Sequence, residues 1–138
     1  MPGSYVIDVE RRIVFSRGWG VLLDAELIDH ARTLRADRRF DPLFQQIADF
    51  SDVRELRVTS AGVRAVAENN PFERDARRAI VVASDAAFGL SRMFELYTGS
   101  HPDQFRIFRT LAEAAQWIGL EREAPWPTRT PDATFGTG

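Results

Sequence analysis

The chain has 138 residues, a formal net charge of −2 and an apolar share of 44%, which suits one domain with a packed core. It contains no cysteine, which excludes disulfides, thiolate metal ligands and cysteine nucleophiles. All 18 basic residues are arginine, which excludes lysine Schiff bases and P-loop lysines. The small net charge creates no general attraction to nucleic acid or anionic lipid.

The N-terminal residues MPGSYVID lack the charged segment and the apolar stretch of a signal peptide. No window approaches the roughly 18 consecutive apolar residues that a membrane helix needs. We therefore expect a cytoplasmic protein with no membrane span.

In chain order, the first elements are a hairpin and a helix. Residues 4–9 and 12–17 are two β-rich runs that predict paired strands, and the sequence Gly18-Trp19-Gly20 is expected to break or bulge the second one. A helix over 24–36 follows, for which Asp24 is a favourable N-cap. We expect His30 on its exposed side.

The middle of the chain predicts two further strands around a helix. Residues 46–50 form a short buried strand, and residues 51–57 are expected to be a loop. Thr59 or Ser60 caps the second helix, which ends at Asn69-Asn70-Pro71. The run RRAIVVA over 77–83 is apolar at successive positions, which is typical of a strand covered on both faces.

The last elements are a helix over 86–98, a strand over 105–108 and a helix through Ile118 with a capping box at Thr110 and Glu113. The order ββαβαβαβα predicts one α/β domain over 1–120, with a mixed, mostly parallel five-stranded sheet and flanking helices. Residues 121–138 have no hydrophobic period and are expected to form an irregular or disordered tail.

One candidate site is the junction between the third strand and the second helix. Free N–H groups and the positive dipole end of that helix favour an anion, including a phosphate on a hydroxyl group. The alternative is that a hydroxyl group simply caps the helix. The candidate residues for binding an anion or a partner are Ser51, Thr59, Ser60 and Gly62.

A second candidate site is the third helix, which carries more large apolar side chains than one narrow stripe can bury. Some of them could face a groove, a pocket or a partner, although ordinary core packing is the alternative. The candidate residues are Phe88, Leu90, Met93, Phe94 and Tyr97.

The remaining polar groups give weaker indications of a functional site. The cluster Arg74, Arg77 and Arg78 is either a solvated edge or an anion-binding patch. His30 and His101 have no second ligand at metal-binding spacing, and no nucleotide-binding motif occurs. We therefore expect no metal, no cofactor and no catalytic residues.

Two stretches, IADFSDV over 47–53 and TSAGV over 59–63, resemble the STAS domain of bacterial anti-sigma-factor antagonists. NPF before RRAIVV, and AFGLSRMFE over 87–95, are similar to the SpoIIAA-like group of small bacterial proteins. The resemblance covers residues 4–120. It implies a STAS or CRAL-TRIO-like α/β sandwich that acts as a non-catalytic interaction module, with Thr59 or Ser60 nearest the phosphorylated serine.

Two functions follow as hypotheses. The first is a non-enzymatic regulatory or protein-interaction module, expected to be a homodimer, that binds through residues 51–62 and the third helix. The second is a carrier or sensor of a small apolar or lipid-like ligand in a pocket beside the third helix, with an arginine holding an acidic head group. A hydrolytic enzyme would require a histidine to meet a hydroxyl group and a carboxylate.

Overall fold

The computed structural model describes residues 2–120, 126–127 and 130–135. Within these ranges the chain forms six strands and four α-helices. The strands are β1 (Gly3–Asp8), β2 (Ile13–Leu23), β3 (Gln45–Arg57), β4 (Arg78–Val81), β5 (Phe105–Phe108) and β6 (Ala133–Phe135). The helices are α1 (Asp24–Ala36), α2 (Ser60–Glu68), α3 (Asp85–Thr98) and α4 (Leu111–Ile118).

The strands form one sheet in the order β5-β4-β3-β2-β1-β6. The pairs β2–β3, β3–β4 and β4–β5 are parallel, whereas β1 is antiparallel to both of its neighbours. The predicted α/β class with a mixed, mostly parallel sheet is therefore confirmed, with six described strands rather than five.

The sixth strand lies in the segment that we expected to be irregular. β6 pairs with β1, and the ring of Phe135 lies so close to Gly3 that any Cβ there would overlap it. Glycine at position 3 thus makes room for the ring, which is 1% exposed. The prediction for residues 121–125, 128–129 and 136–138 lies outside the described residues.

The loop predicted over 51–57 is wrong, because β3 continues through it to Arg57. It can do so because β2 also continues, to Leu23, and pairs with it along that length. The break or bulge expected in the second strand at Gly18-Trp19-Gly20 is wrong, because β2 is continuous to Leu23 and the two register shifts beside these residues have their extra residue in β3. Gly20 has a φ of 67°, which glycine adopts without strain.

The helices lie on both faces of the sheet. α4 packs against the face that carries Ile47, Ala79 and Val81, and α1, α2 and α3 surround a cavity on the opposite face. Among the described residues, no helix is both long and apolar enough to cross a membrane.

Candidate functional site

The cavity between the sheet and helices α1, α2 and α3 has a volume of about 170 Å³. Most of its lining is aliphatic or aromatic, and includes Leu22, Ala48, Val63, Ile80 and Leu90. Arg54, Ala83 and Ser84 also line it and are exposed, so the cavity opens to solvent beside the C-terminal end of β3. Its lining also includes two buried polar residues of the sheet, Gln46 and Arg78.

Arg78 is the charged residue of these two, and only 6% of its surface is exposed. Its Nε and Nη2 donate hydrogen bonds to Gln46 Oε1 at 3.0 and 2.9 Å, and its Nη1 donates to Asn70 Oδ1 at 3.0 Å. Both acceptors are neutral amides. Within the described ranges no carboxylate forms an ion pair with Arg78.

Aromatic rings enclose the same guanidinium. Its carbon lies 4.3 Å from the ring centroid of Phe72, 5.1 Å from that of Phe94 and 5.7 Å from that of Phe105. These rings compensate part of the lost hydration through cation–π attraction. Burial nevertheless lowers the pKa of Arg78 to about 9, because desolvation disfavours the charged form.

The positions of Gln46 and Arg78 follow from the register of the sheet. The two residues are directly paired in β3 and β4, and alternate residues of a strand share a face. Gln46 and Ala48 therefore face the cavity with Arg78 and Ile80, whereas Ile47 and Ala79 face α4.

A chain of hydrogen bonds extends from Gln46 to α1. The amide Nε2 of Gln46 donates to Ser16 Oγ at 3.1 Å, and Ser16 Oγ lies 2.9 Å from His30 Nε2. Because Ser16 accepts from the amide, its own hydroxyl hydrogen is free to be donated to His30. Such a bond requires an unprotonated Nε2 on His30.

The environment of His30 favours that neutral form. Burial and the positive charge of Arg78 lower the pKa of His30 to about 4. The ring meets Tyr5 and Phe135 edge to face, and it retains some accessible surface because it lines the cavity. The expectation that His30 lies on the exposed side of α1 is therefore wrong.

The third helix only partly matches its predicted role. Leu90 and Phe94 line the cavity, whereas Phe88 is half-buried outside the lining and packs against an apolar cluster whose members Ala48 and Ile80 line the cavity. Met93 is half-buried outside the cavity lining, and Tyr97 is exposed beside Leu96, whose surface is 80% exposed. Of the five candidate residues, two meet in one cavity.

The predicted anion site at the start of α2 contains a carboxylate of the chain itself. Thr59 caps α2 by accepting from the Gly62 N–H at 2.9 Å. Its backbone N–H and hydroxyl group donate to the two oxygens of Asp24, at 2.9 and 2.7 Å. Asp24 therefore does not cap α1 as predicted, because its carboxylate bonds Thr59 and Leu23 holds the N-cap position without a side-chain bond.

The other residues of that candidate site lie apart from this contact. Ser51 belongs to β3, where its backbone N–H and hydroxyl group both donate to Asp49 Oδ1. Ser60 is exposed in the first turn of α2. A Cβ on Gly62 would overlap the Asp24 carboxylate, so glycine is needed there for the approach of Asp24.

The arginine cluster predicted near β4 separates in the structure. Arg74 is exposed and donates to Gly99 O, and Arg77 donates to Trp117 O on the α4 side. Only Arg78 faces the cavity. The three arginines therefore do not form one patch, because Arg74 is solvent-exposed, as the first reading expected, and Arg78 is buried at the cavity.

No group of His, Cys, Asp or Glu side chains in the described part of the chain could hold a metal ion. Comparison with protein-family models, with curated proteins and with solved structures found no match to this chain. The STAS and SpoIIAA-like resemblance therefore stays a prediction.

Proposed function

We propose that this chain binds a small apolar carboxylate and serves as its carrier or sensor. The apolar part of the ligand would occupy the cavity, and its carboxylate would reach Arg78. The observation that supports this most directly is a buried arginine whose hydrogen-bond acceptors, in the part of the chain that the structure describes, are neutral amides. Such a charge is costly to bury, and an anionic ligand would compensate for it.

The donor geometry of Arg78 favours a carboxylate. A guanidinium has five N–H groups, and the three hydrogen bonds to Gln46 and Asn70 leave one N–H on each terminal nitrogen without a partner in the described ranges. Adjacent N–H groups of a guanidinium can bind the two oxygens of a carboxylate. Gln46 cannot rotate easily away, because Ser16 accepts from its other amide atom.

The size of the cavity restricts the apolar part of the ligand. A volume of 170 Å³ is close to that of an apolar cavity of roughly 150 Å³ that holds benzene. An aromatic acid or a fatty acid of medium chain length fits this scale, and a longer chain would have to leave through the mouth beside Arg54. Suitable probes are phenylacetate and octanoate.

We propose a non-enzymatic role for the Ser16–His30 pair. The two side chains resemble part of a hydrolytic triad, but Ser16 is 1% exposed. No carboxylate in the described residues is hydrogen-bonded to His30. The pair would instead orient Gln46, and through it Arg78.

Native mass spectrometry of the protein purified from its own host tests this function. We expect an adduct that is lost on denaturation, whose released component is an apolar carboxylic acid. An Arg78→Met variant prepared in parallel should lack the adduct. Wild-type protein without an adduct that also shows no thermal shift with phenylacetate or octanoate would contradict the proposal.

The partner-binding role expected from the sequence is a second proposal, and one observation favours it. Leu96 and Tyr97 are exposed side by side near the end of α3, where a partner could cover them. Against a phosphate-controlled switch, the hydroxyl group of Thr59 is engaged by Asp24. A protein that co-purifies with wild-type protein and is lost on Leu96→Ser and Tyr97→Ser substitution would support this role.

A further inference from the structure

We propose that two copies of this chain associate by antiparallel pairing of their β3 strands along Asp52–Arg57. This proposal is independent of the ligand that the cavity binds. It depends on an open strand edge, on a bulge and on the order of charges along the edge.

The open edge exists because β3 is much longer than β4. β4 pairs with β3 only as far as Asp49, whereas β2 pairs with it as far as Arg57. Among the described residues, the backbone groups of Asp52–Arg57 form hydrogen bonds with β2 alone. A strand edge of this kind presents unpaired N–H and C=O groups that can accept another strand.

A bulge determines which side chains share a face along this edge. Gly20 pairs with Val53 and the next residue of β2, Val21, pairs with Glu55, so Arg54 is the extra residue of β3. Val53 and Leu56 consequently point to the same face, and both line the cavity. The alternation of the strand places Asp52, Glu55 and Arg57 on the other face.

With this bulge the segment is complementary to itself. Consider a two-fold pairing centred on Glu55 in which the bulged Arg54 is left without a partner in both copies. Val53 then lies opposite Leu56 of the second copy, and Asp52 lies opposite Arg57 of the second copy. Each pair occurs twice. The two Glu55 carboxylates face each other at the axis, where the Arg57 guanidinium of the same chain, 2.7 Å from Glu55, offsets their charge.

Charged side chains on a strand edge usually prevent pairing, but here they alternate in sign, so a two-fold pairing can join opposite charges. Opposite charges that face each other across strands are stabilising, and like charges are destabilising. Moving the axis to Val53 would place Asp52 opposite Glu55 of the second copy. Moving it to Leu56 would place Glu55 opposite Arg57 of the second copy, which also joins opposite charges, but would take Asp52 beyond the end of the paired strand.

The dimer interface would adjoin the cavity mouth, because Val53, Arg54 and Leu56 belong to both. A two-fold axis at Glu55 therefore brings the two mouths close together. The second copy would be the kind of partner that this edge fits.

Sedimentation velocity on the full chain, over a range of concentrations, tests the proposal. We expect wild-type protein to approach twice the chain mass of 15.6 kDa. Asp52→Arg and Arg57→Asp should each weaken the dimer by at least about tenfold, because each creates two like-charge pairs. Asp103→Arg, on an exposed side chain just before β5, is the matched control and should leave the dimer unchanged.

Mixing the two charge-reversal variants shows whether residues 52 and 57 face each other in the dimer or whether the substitutions weaken it by general charge repulsion. In the mixed dimer each acidic position again faces a basic one, so an equimolar mixture should regain the dimer mass. Circular dichroism of each variant checks that the fold is retained. A monomeric wild type, a dimer that survives both reversals, or a mixture that stays monomeric would overturn the proposal.

Discussion

Arg78 and Gln46 lie side by side in neighbouring parallel strands, and two N–H groups of the arginine converge on the single amide oxygen of the glutamine, at 3.0 and 2.9 Å. This contact holds a positive charge against an apolar cavity without using a carboxylate. Because neutral acceptors compensate a buried charge incompletely, the relationship identifies the group that an anionic ligand would reach.

Replacing Arg78 should weaken the binding of octanoate while changing the stability of the protein only a little. Arg78→Met removes the buried charge, which favours folding, but leaves the oxygens of Gln46 and Asn70 without their donor. Since these effects oppose each other, we expect the free energy of unfolding to change by less than about 2 kcal/mol. The affinity for octanoate should fall by about 10- to 100-fold. Urea unfolding and calorimetric titration measure the two quantities.

Arg77→Met is the matched control for that variant. Arg77 precedes Arg78 in the chain but donates to Trp117 O, away from the cavity. Its replacement should leave the affinity for octanoate within about twofold of wild type, since it removes no contact with the ligand. Equal losses of affinity in the two variants would mean that the positive charge acts only through the general field.

Filling the cavity should block the ligand without unfolding the protein. Leu90 lines the cavity from α3 and is only half-buried, so Leu90→Trp can extend into the space. We expect a loss of octanoate affinity of at least about tenfold, with a stability change of about 1–3 kcal/mol from overpacking. Leu96→Trp, on the exposed side of the same helix, should have neither effect. Retained affinity in Leu90→Trp would place the ligand elsewhere.

The stability of the protein should decrease as the pH falls from 6.5 to 4. His30 has a pKa of about 4 in the folded protein, against about 6.5 in an unfolded chain. The unfolded state therefore binds more protons in this range, and its protonation favours unfolding as the pH falls. The contribution of His30 to the free energy of unfolding is fully present above pH 6.5, and roughly 3 kcal/mol of it is lost by pH 4.

Comparing variants separates the effect of His30 on stability from that of the carboxylates, which titrate in the same pH range. The free energy of unfolding of His30→Gln, measured by urea at several pH values, should change less over pH 4–6.5 than that of wild type. His101→Gln, whose ring lies on the surface, should follow the wild-type curve. Parallel curves for wild type and His30→Gln would show that His30 titrates normally.

The contact between α1 and α2 should depend on glycine at position 62. Gly62→Ala would displace Asp24 and break its bonds to Thr59, which should cost about 1–3 kcal/mol of stability. In an Asp24→Ala background the same substitution should cost less, because the obstructing carboxylate is absent. A double-mutant cycle by urea unfolding measures this coupling, and strictly additive losses would contradict it.

Local signals in the sequence predicted most of the elements. The N-cap half of the capping box of α4 is confirmed, since Thr110 accepts from the Glu113 N–H, while the Glu113 carboxylate accepts from the Thr110 hydroxyl group. Gly99 and Gly119 end α3 and α4 with positive φ angles. These features depend on residues a few positions apart, so a single sequence contains the information.

Features that depend on distant partners were not predicted. The segment SDVRELR continues β3 only because β2 supplies a paired strand, and its charged side chains resemble those of a loop. β6 has three residues and is stabilised by β1, about 130 positions earlier in the chain. Neither segment has a strong periodicity of its own.

The candidate site was predicted only in part. Helix α3 and an arginine holding an acidic head group were both expected, but Arg78 was grouped with Arg74 and Arg77 by sequence proximity. A polar residue lies at the start of a buried strand in both β3, at Gln46, and β4, at Arg78. That signal was present, but only the register of the sheet shows that the two side chains meet.

The measurement that tests the proposed function most directly is calorimetric titration of the wild-type protein with octanoate and, separately, with 1-octanol. The two probes share an apolar chain and differ in the charge that Arg78 would bind. We expect saturable binding of octanoate that is at least about tenfold tighter than that of the alcohol. Equal affinities, or no binding of octanoate, would contradict the assignment of Arg78 as the carboxylate-binding group.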